Sequence, residues 1–274
     1  MHRRQILNRS SVVVAVAVAV AALWLAAGQA QAGLTAYWPL DETSGTTAPN
    51  LVPMSTYPDG TLQPSTGGAF PMWVADGMRA QVIEFSGADR QRIDAGVIPA
   101  LANSDDFSIS FWTNQTPGNG GNDVILVSRA ETSGGAGWFK FTPTQIEISN
   151  DPGNTFANIN YVDVPNSVWV HHALVKNGGT FNYYRGGVFG GSSTGAGGLN
   201  SVFFQMGGDN GFNESWAGRI DDVALFDMAL TLQQVQDLAN EVITPAAFLP
   251  IPEPTTFVLG LIGVVALSRR RRSA

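Results

Sequence analysis

The chain has 274 residues, no cysteine, and 22 acidic against 15 basic residues, so disulfides and thiolate chemistry are excluded and packing alone must hold the fold. Seven of the arginines lie within the first nine and the last six residues; the remainder carries 8 basic against 22 acidic residues, a net charge of −14. Such a surface repels phosphate backbones and anionic headgroups, which excludes nucleic acid and peripheral membrane binding as functions of the body of the chain.

In chain order, Arg3, Arg4 and Arg9 precede an apolar run from Val12 to Ala27 and then Ala30-Gln31-Ala32. A basic stretch, an apolar stretch and a small-x-small site form a secretory signal peptide over residues 1–32, cut after Ala32. A permanent anchor would need about 20 apolar residues and no such site. Arg3-Arg4-Gln5-Ile6-Leu7 is also loosely twin-arginine-like, and either route ends across the inner membrane.

From Gly33 to Leu249 the sequence is rich in Gly and Asn, with polar-apolar alternation. The pattern predicts strands over 33–40, 81–86, 107–114, 123–129, 138–142, 145–149, 168–176, 180–185, 202–207 and 218–226. Phe107-Ser108-Ile109-Ser110-Phe111 alternates with period two, which puts the rings on one face and the serines on the other. Many short strands separated by turn residues define an all-β chain, a two-sheet antiparallel sandwich or barrel. One helix is predicted over Leu232–Ala239, with Thr231 as N-cap and Gln234 completing a capping box.

Residues 250–274 differ again. Pro252-Glu253-Pro254 is followed by an almost wholly apolar stretch from Thr255 to Leu267 and by Arg269, Arg270, Arg271 and Arg272. As a helix the apolar stretch spans about 20 Å, short of the roughly 30 Å hydrocarbon core. The arginines would remain cytoplasmic and leave the domain outside. This order resembles the PEP-CTERM sorting signal, which implies handling by an exosortase-type enzyme, transient membrane anchoring, and a destination at the cell surface or in the extracellular matrix. An ordinary tail anchor is the other reading, and it too places the protein in the envelope.

The body is similar to laminin-G-like, concanavalin A-like domains. The segments that carry the likeness are Ala36-Tyr37-Trp38-Pro39-Leu40-Asp41-Glu42, Val82 to Gly87, Phe107 to Trp112, Trp169 to Ala173 and Arg219 to Phe226, in that order. The resemblance implies a jelly roll of two antiparallel sheets over 33–249, glycan or protein binding, and a calcium ion in many members. One departure is Gly186, where the family usually places asparagine before the turn glycine. Glycine supplies the same positive φ, so the turn is expected to form.

Four groups of residues are candidates for chemistry. Retaining glycosidases on this fold need two carboxylates about 5 Å apart, but the nearest run, Glu147-Ile148-Ser149-Asn150-Asp151, lacks the second glutamate; a non-catalytic protein is expected, with hydrolase the alternative. His171 and His172 are strand neighbours that point to opposite faces and cannot share an ion, so a structural hydrogen-bonded role is expected for His171. Asp222 with Asp41 is the calcium site that the resemblance implies, the alternative being that Asp222 caps backbone amides without a metal. Alternation places Ile220 and Asp222 on one face, with Asp221, Val223 and Leu225 on the other. Trp73, Trp138 and Trp216 have Asn and Gly neighbours and are the candidate sugar platform, while Trp38, Trp112 and Trp169 sit at core-like positions. The function that follows is a surface or matrix protein binding an extracellular polysaccharide or a surface protein; a purely structural or adhesive role is the alternative.

Overall fold

The computed structural model describes residues 33–249 apart from 54, 56, 98–105, 130–136, 151–154 and 195–202. The expected signal peptide, the Pro252-Glu253-Pro254 motif and the arginine cluster lie outside the described residues, as does Asp151. The elements are β1 (Leu34–Trp38), β2 (Thr47–Ala48), β3 (Gly60–Gln63), β4 (Met72–Asp76), β5 (Ala80–Ser86), β6 (Arg92–Asp94), β7 (Phe107–Gln115), β8 (Leu126–Ser128), β9 (Trp138–Phe141), β10 (Gln145–Asn150), β11 (Thr155–Phe156), β12 (Ile159–Asn160), β13 (Trp169–Asn177), β14 (Thr180–Arg185), β15 (Val188–Thr194), β16 (Phe204–Met206) and β17 (Ala217–Phe226). Helix α1 (Leu232–Ala239) and a 3-10 turn (Pro245–Phe248) follow.

The strands form two antiparallel sheets, as the alternating pattern requires. The eight-stranded sheet runs β15-β14-β13-β7-β17-β5-β4, with β1 also paired to β17; the nine-stranded sheet runs β11-β10-β9-β8-β16-β6-β3-β2, with β12 on β10. The long last strand is shared: its first half pairs with β5 through Ala217 to Ile220, and its second half with β1 through Val223 to Phe226. Phe85, Ile109, Phe111, Phe139, Phe141, Phe204 and Leu225 meet between the sheets. Each such side chain, fully buried, contributes about 1.5–3 kcal/mol.

The second face of each sheet is treated differently. On the eight-stranded sheet, Ala173, Val175, Ala224 and Phe226 carry a second apolar layer, closed by Val235 and Leu238 of α1 and by Phe248. Thr231 caps α1 with the expected reciprocal box to Gln234. On the nine-stranded sheet, cross-strand pairing aligns Asp94, Gln205, Val127, Lys140 and Glu147 in one outward row. The β14–β15 hairpin turns on Gly186 and Gly187 at φ 56° and 76°, the two positive values that a type I′ turn demands. Among the described residues no helix is long and apolar enough to cross a membrane.

Candidate functional site

The outward face of the nine-stranded sheet bears a network of charges around two aromatic rings. Lys140, on β9 between Phe139 and Phe141, points away from the core because alternation sends both rings inward. Its Nζ lies 3.1 Å from Glu147 Oε2 and 3.4 Å from Glu214 Oε2. Arg129, just past β8, donates from Nε to Asp209 Oδ2 at 2.6 Å and from Nη2 to Glu214 Oε2 at 2.5 Å. Its guanidinium stacks 3.9 Å from the Phe212 ring centroid and 5.6 Å from that of Trp138. Asp209 Oδ1 accepts from the amides of Gly211 and Phe212, which fixes the loop before β17 over the sheet. Further along, Asp94 accepts from Arg92 and from Gln205 Nε2. The side chains of Arg129 and Lys140 are buried, while Glu147, Glu214 and Asp94 keep part of their surface open. Partly open carboxylates held rigid by buried cations, beside rings, are the groups that hydrogen-bond sugar hydroxyls and stack on sugar faces.

The three candidate tryptophans do not meet. Trp138 belongs to this network but is itself buried. Trp73 sits on β4, the edge strand of the other sheet, half-buried against the core, and its Nε1 donates to Gly45 O. Trp216 is a core residue, fully buried, with Nε1 donating to Gln115 Oε1; its Gly and Asn surroundings in sequence suggested a rim, yet the chain is already entering β17 there. Trp112 and Trp169 instead lie half-buried on the outward face of the eight-stranded sheet.

There they flank a second polar cluster, which contains Asp222. Arg79, at the β4–β5 hairpin, donates from Nε to Asp221 Oδ2, from Nη2 to Asp222 Oδ2 and from Nη1 to Glu241 Oε1, each at 2.5 Å. Tyr37 Oη donates to Asp222 Oδ1 at 2.5 Å. The guanidinium carbon stands 4.4 Å from the Trp112 ring centroid and 5.5 Å from that of Trp169. The expected alternation fails here: β17 bulges between Asp221 and Ala224, and Asp222 takes φ 51°. The extra residue puts Ile220, Val223 and Leu225 on the core side together and lets both aspartates reach one arginine.

These residues do not fit a calcium ion. Both oxygens of Asp222 are taken by hydrogen-bond donors, a cation already sits between the aspartates, and Asp41 is exposed. Among the described residues no group of three or more His, Asp or Glu is arranged to hold a metal. The amide-capping alternative for Asp222 gives way to the same geometry, because its carboxylate caps Tyr37 and Arg79 instead. Burial, with Asp222 adding to it, pushes Asp221 up to about 8 against the pull of Arg79. Burial and then Asp222 raise Asp41, and the same two causes raise Tyr37.

The two histidines are structural. His171 Nε2 hydrogen-bonds Ser110 Oγ at 2.9 Å on the α1 side of the sheet; His172 bonds Thr113 Oγ1 at 2.9 Å and Tyr183 Oη at 2.8 Å on the core side. Burial first, with Arg79 next, pushes His171 down to about 3, and burial holds His172 well below the usual imidazole range. Sequence reasoning missed Arg79, Arg129 and Lys140. One signal was available: Lys140 interrupts Trp138-Phe139-Phe141 in a strand, where a cation needs a partner.

Two stacked antiparallel sheets, one backed by a helix and the other presenting a polar face, define a lectin-type β-sandwich. The Laminin_G_3 family model, described as the concanavalin A-like lectin/glucanases superfamily, matches residues 86–236, more than half of the chain, and the chain belongs to that family. No curated protein matches the chain. Among solved structures, it is similar to domain 4 of AbnA, a GH43 extracellular arabinanase from Geobacillus stearothermophilus, in complex with arabinotriose, at 19% identity and TM-score 0.62, covering 76% of this chain and 99% of that one. It is also similar to Trypanosoma rangeli sialidase at 14% identity and TM-score 0.54, over 76% of this chain and 33% of that one. The receptor binding domain of botulinum neurotoxin type G matches at 14% identity and TM-score 0.53, over 77% of this chain and 51% of that one. The chain thus spans about a third of the sialidase and half of the neurotoxin domain.

Proposed function

We propose that the protein is an exported, non-catalytic glycan binder of the cell surface or extracellular matrix, sorted through its PEP-CTERM-like tail by an exosortase-type enzyme. The observation that carries the binding reading is the outward face of the nine-stranded sheet. Glu147 and Glu214 are held by the buried cations Lys140 and Arg129, the latter stacked on Phe212 and Trp138, and Asp94 is held by Arg92 further along, with part of each carboxylate left open. The surplus of negative charge favours neutral polysaccharides over anionic ones. The likeness to an arabinanase domain in complex with arabinotriose makes arabino-oligosaccharides the first ligands to try.

Two carboxylates from different elements do converge here, Glu147 and Glu214, which is the arrangement a hydrolase reading asks for. Lys140 Nζ lies between them, in the space that a retaining hydrolase leaves to the sugar. The glycan is therefore expected to be held and released at unchanged chain length. The purified mature protein, screened on a glycan array and then titrated calorimetrically, should bind a neutral oligosaccharide, and Glu147→Gln with Glu214→Gln should weaken that binding at least tenfold. Failure to bind any polysaccharide would leave the structural or adhesive role, and shortening of the bound glycan would restore the hydrolase.

A further inference from the structure

The second polar cluster lies on the other sheet from the proposed glycan face, and it joins residues from widely separated parts of the chain. Its centre is one guanidinium whose side chain is 7% exposed, against 5%, 16% and 60% for Asp221, Asp222 and Glu241. The partners come from separate parts of the chain: the last strand supplies two carboxylates, the segment after α1 supplies the third, and β1 joins through the Tyr37 hydroxyl on Asp222. Positive φ values are taken by two of its members, Asp222 and Glu241, and by Ala80, the chain neighbour of Arg79. Such conformations persist where the surroundings over-determine them.

Asp221 is only 3% exposed, and its Oδ1 has no hydrogen-bond partner among the described residues. A spherical ion with six to eight oxygen ligands would draw in that atom. A planar guanidinium offers its donors in fixed directions and reaches only one oxygen of this acid. The cluster thus has the acid-rich composition of a cation cradle, with its cation supplied by the chain.

We propose that Arg79 is a built-in cation: it stands where a divalent ion would otherwise join the last strand to the first, and it fastens the segment after α1 to the sheet. An exported protein built this way keeps its fold whatever the calcium concentration outside the cell. Neutralising Arg79 leaves Asp222 and Glu241 without their counter-charge and Asp221 without its hydrogen-bond donor, and creates a demand for an external cation.

The test uses the mature protein, melted in millimolar calcium and in chelator. The wild-type protein is expected to melt at the same temperature in both. Arg79→Gln should melt several degrees lower in chelator and regain at least about 2 °C in calcium; terbium added to this variant should show saturable luminescence sensitised through Trp112. Arg79→Lys, which keeps the charge, should lose stability without gaining any calcium response. If Arg79→Gln yields soluble protein only when refolded in calcium, that supports the proposal in the same way. A wild-type melting temperature that rises in calcium, or an Arg79→Gln variant no more calcium-sensitive than Arg79→Lys, overturns it.

Discussion

At the scale of single residues, the buried titratable groups make opposing demands on pH. His171, with its pKa pushed down to about 3, and His172, held well below its usual range, are neutral in the folded protein. In the unfolded chain both protonate near pH 6.5. Below that pH the unfolded state binds more protons, so stability falls as pH drops, by roughly 1 kcal/mol per unit for each histidine. Asp221 acts in the other direction. Pushed up to about 8 by burial and Asp222, it holds a proton in the folded state that the unfolded state has already lost. Its contribution is present at low pH and lost as pH rises toward 8. Between pH 5 and 6.5 the two histidines outweigh the one aspartate; above 6.5 only the aspartate remains. Urea unfolding should therefore show maximal stability near pH 6.5, with a steeper fall on the acid side. His172→Asn should flatten that acid limb, while also lowering stability overall by breaking the bonds to Thr113 and Tyr183. A stability that climbs steadily from pH 6.5 to 8 would show that Arg79, not burial, governs Asp221.

At the scale of elements, α1 is a short helix that contributes through what it covers. Val235 and Leu238 close the second apolar layer over Ala173 and Val175, and the Thr231–Gln234 box satisfies the first-turn amides. Thr231→Ala should cost about 1 kcal/mol, read as a lower denaturation midpoint with an unchanged slope. This helix was legible from the sequence to the residue, because a capping box and an apolar spacing are local signals. Strand β14 was equally legible, and β7 and β13 were read to within one residue at their ends. The short strands β2, β3, β6, β11 and β12 were not, since a run of two to four residues carries no period. Nor was β15, where Gly190 and Gly191 break the pattern. The bulge at Asp222 escaped a strict alternation and sent Asp221 to the wrong face, although the spacing Ile220, Val223, Leu225 records it. The charged sites were the least legible: Arg79 finds its partners 142 and 143 residues away, and Arg129 finds Asp209 80 residues away. Such pairings exist only once the sheets have assembled.

At the scale of the whole molecule, charge and hydropathy divide the labour between the body and the ends. Residues 33–249 hold 8 cations for 21 acids, and among the described residues five of those cations, Arg79, Arg92, Arg129, Lys140 and Arg219, are paired with carboxylates. What remains toward solvent is strongly acidic, so the body has no electrostatic hold on an anionic membrane. On the proposed localisation, retention at the membrane is therefore expected to come from the ends. If residues 1–32 are removed as proposed, the stretch from Thr255 to Leu267 is the one long apolar segment left in the sequence, and on the proposed sorting the arginines after it would hold the chain end on the cytoplasmic side. Its length is marginal for a span, which would suit the transient anchoring proposed above. Deleting residues 255–274 should leave the fold of 33–249 intact, because the core, the caps and the Arg79 cluster all lie within it. The same deletion should move the protein from the membrane fraction into the medium. Fractionation followed by immunoblotting would show this directly, and an unchanged membrane fraction would mean that something other than the tail holds the protein there. Intact mass of the released form, starting at Gly33, would fix the other end in the same experiment.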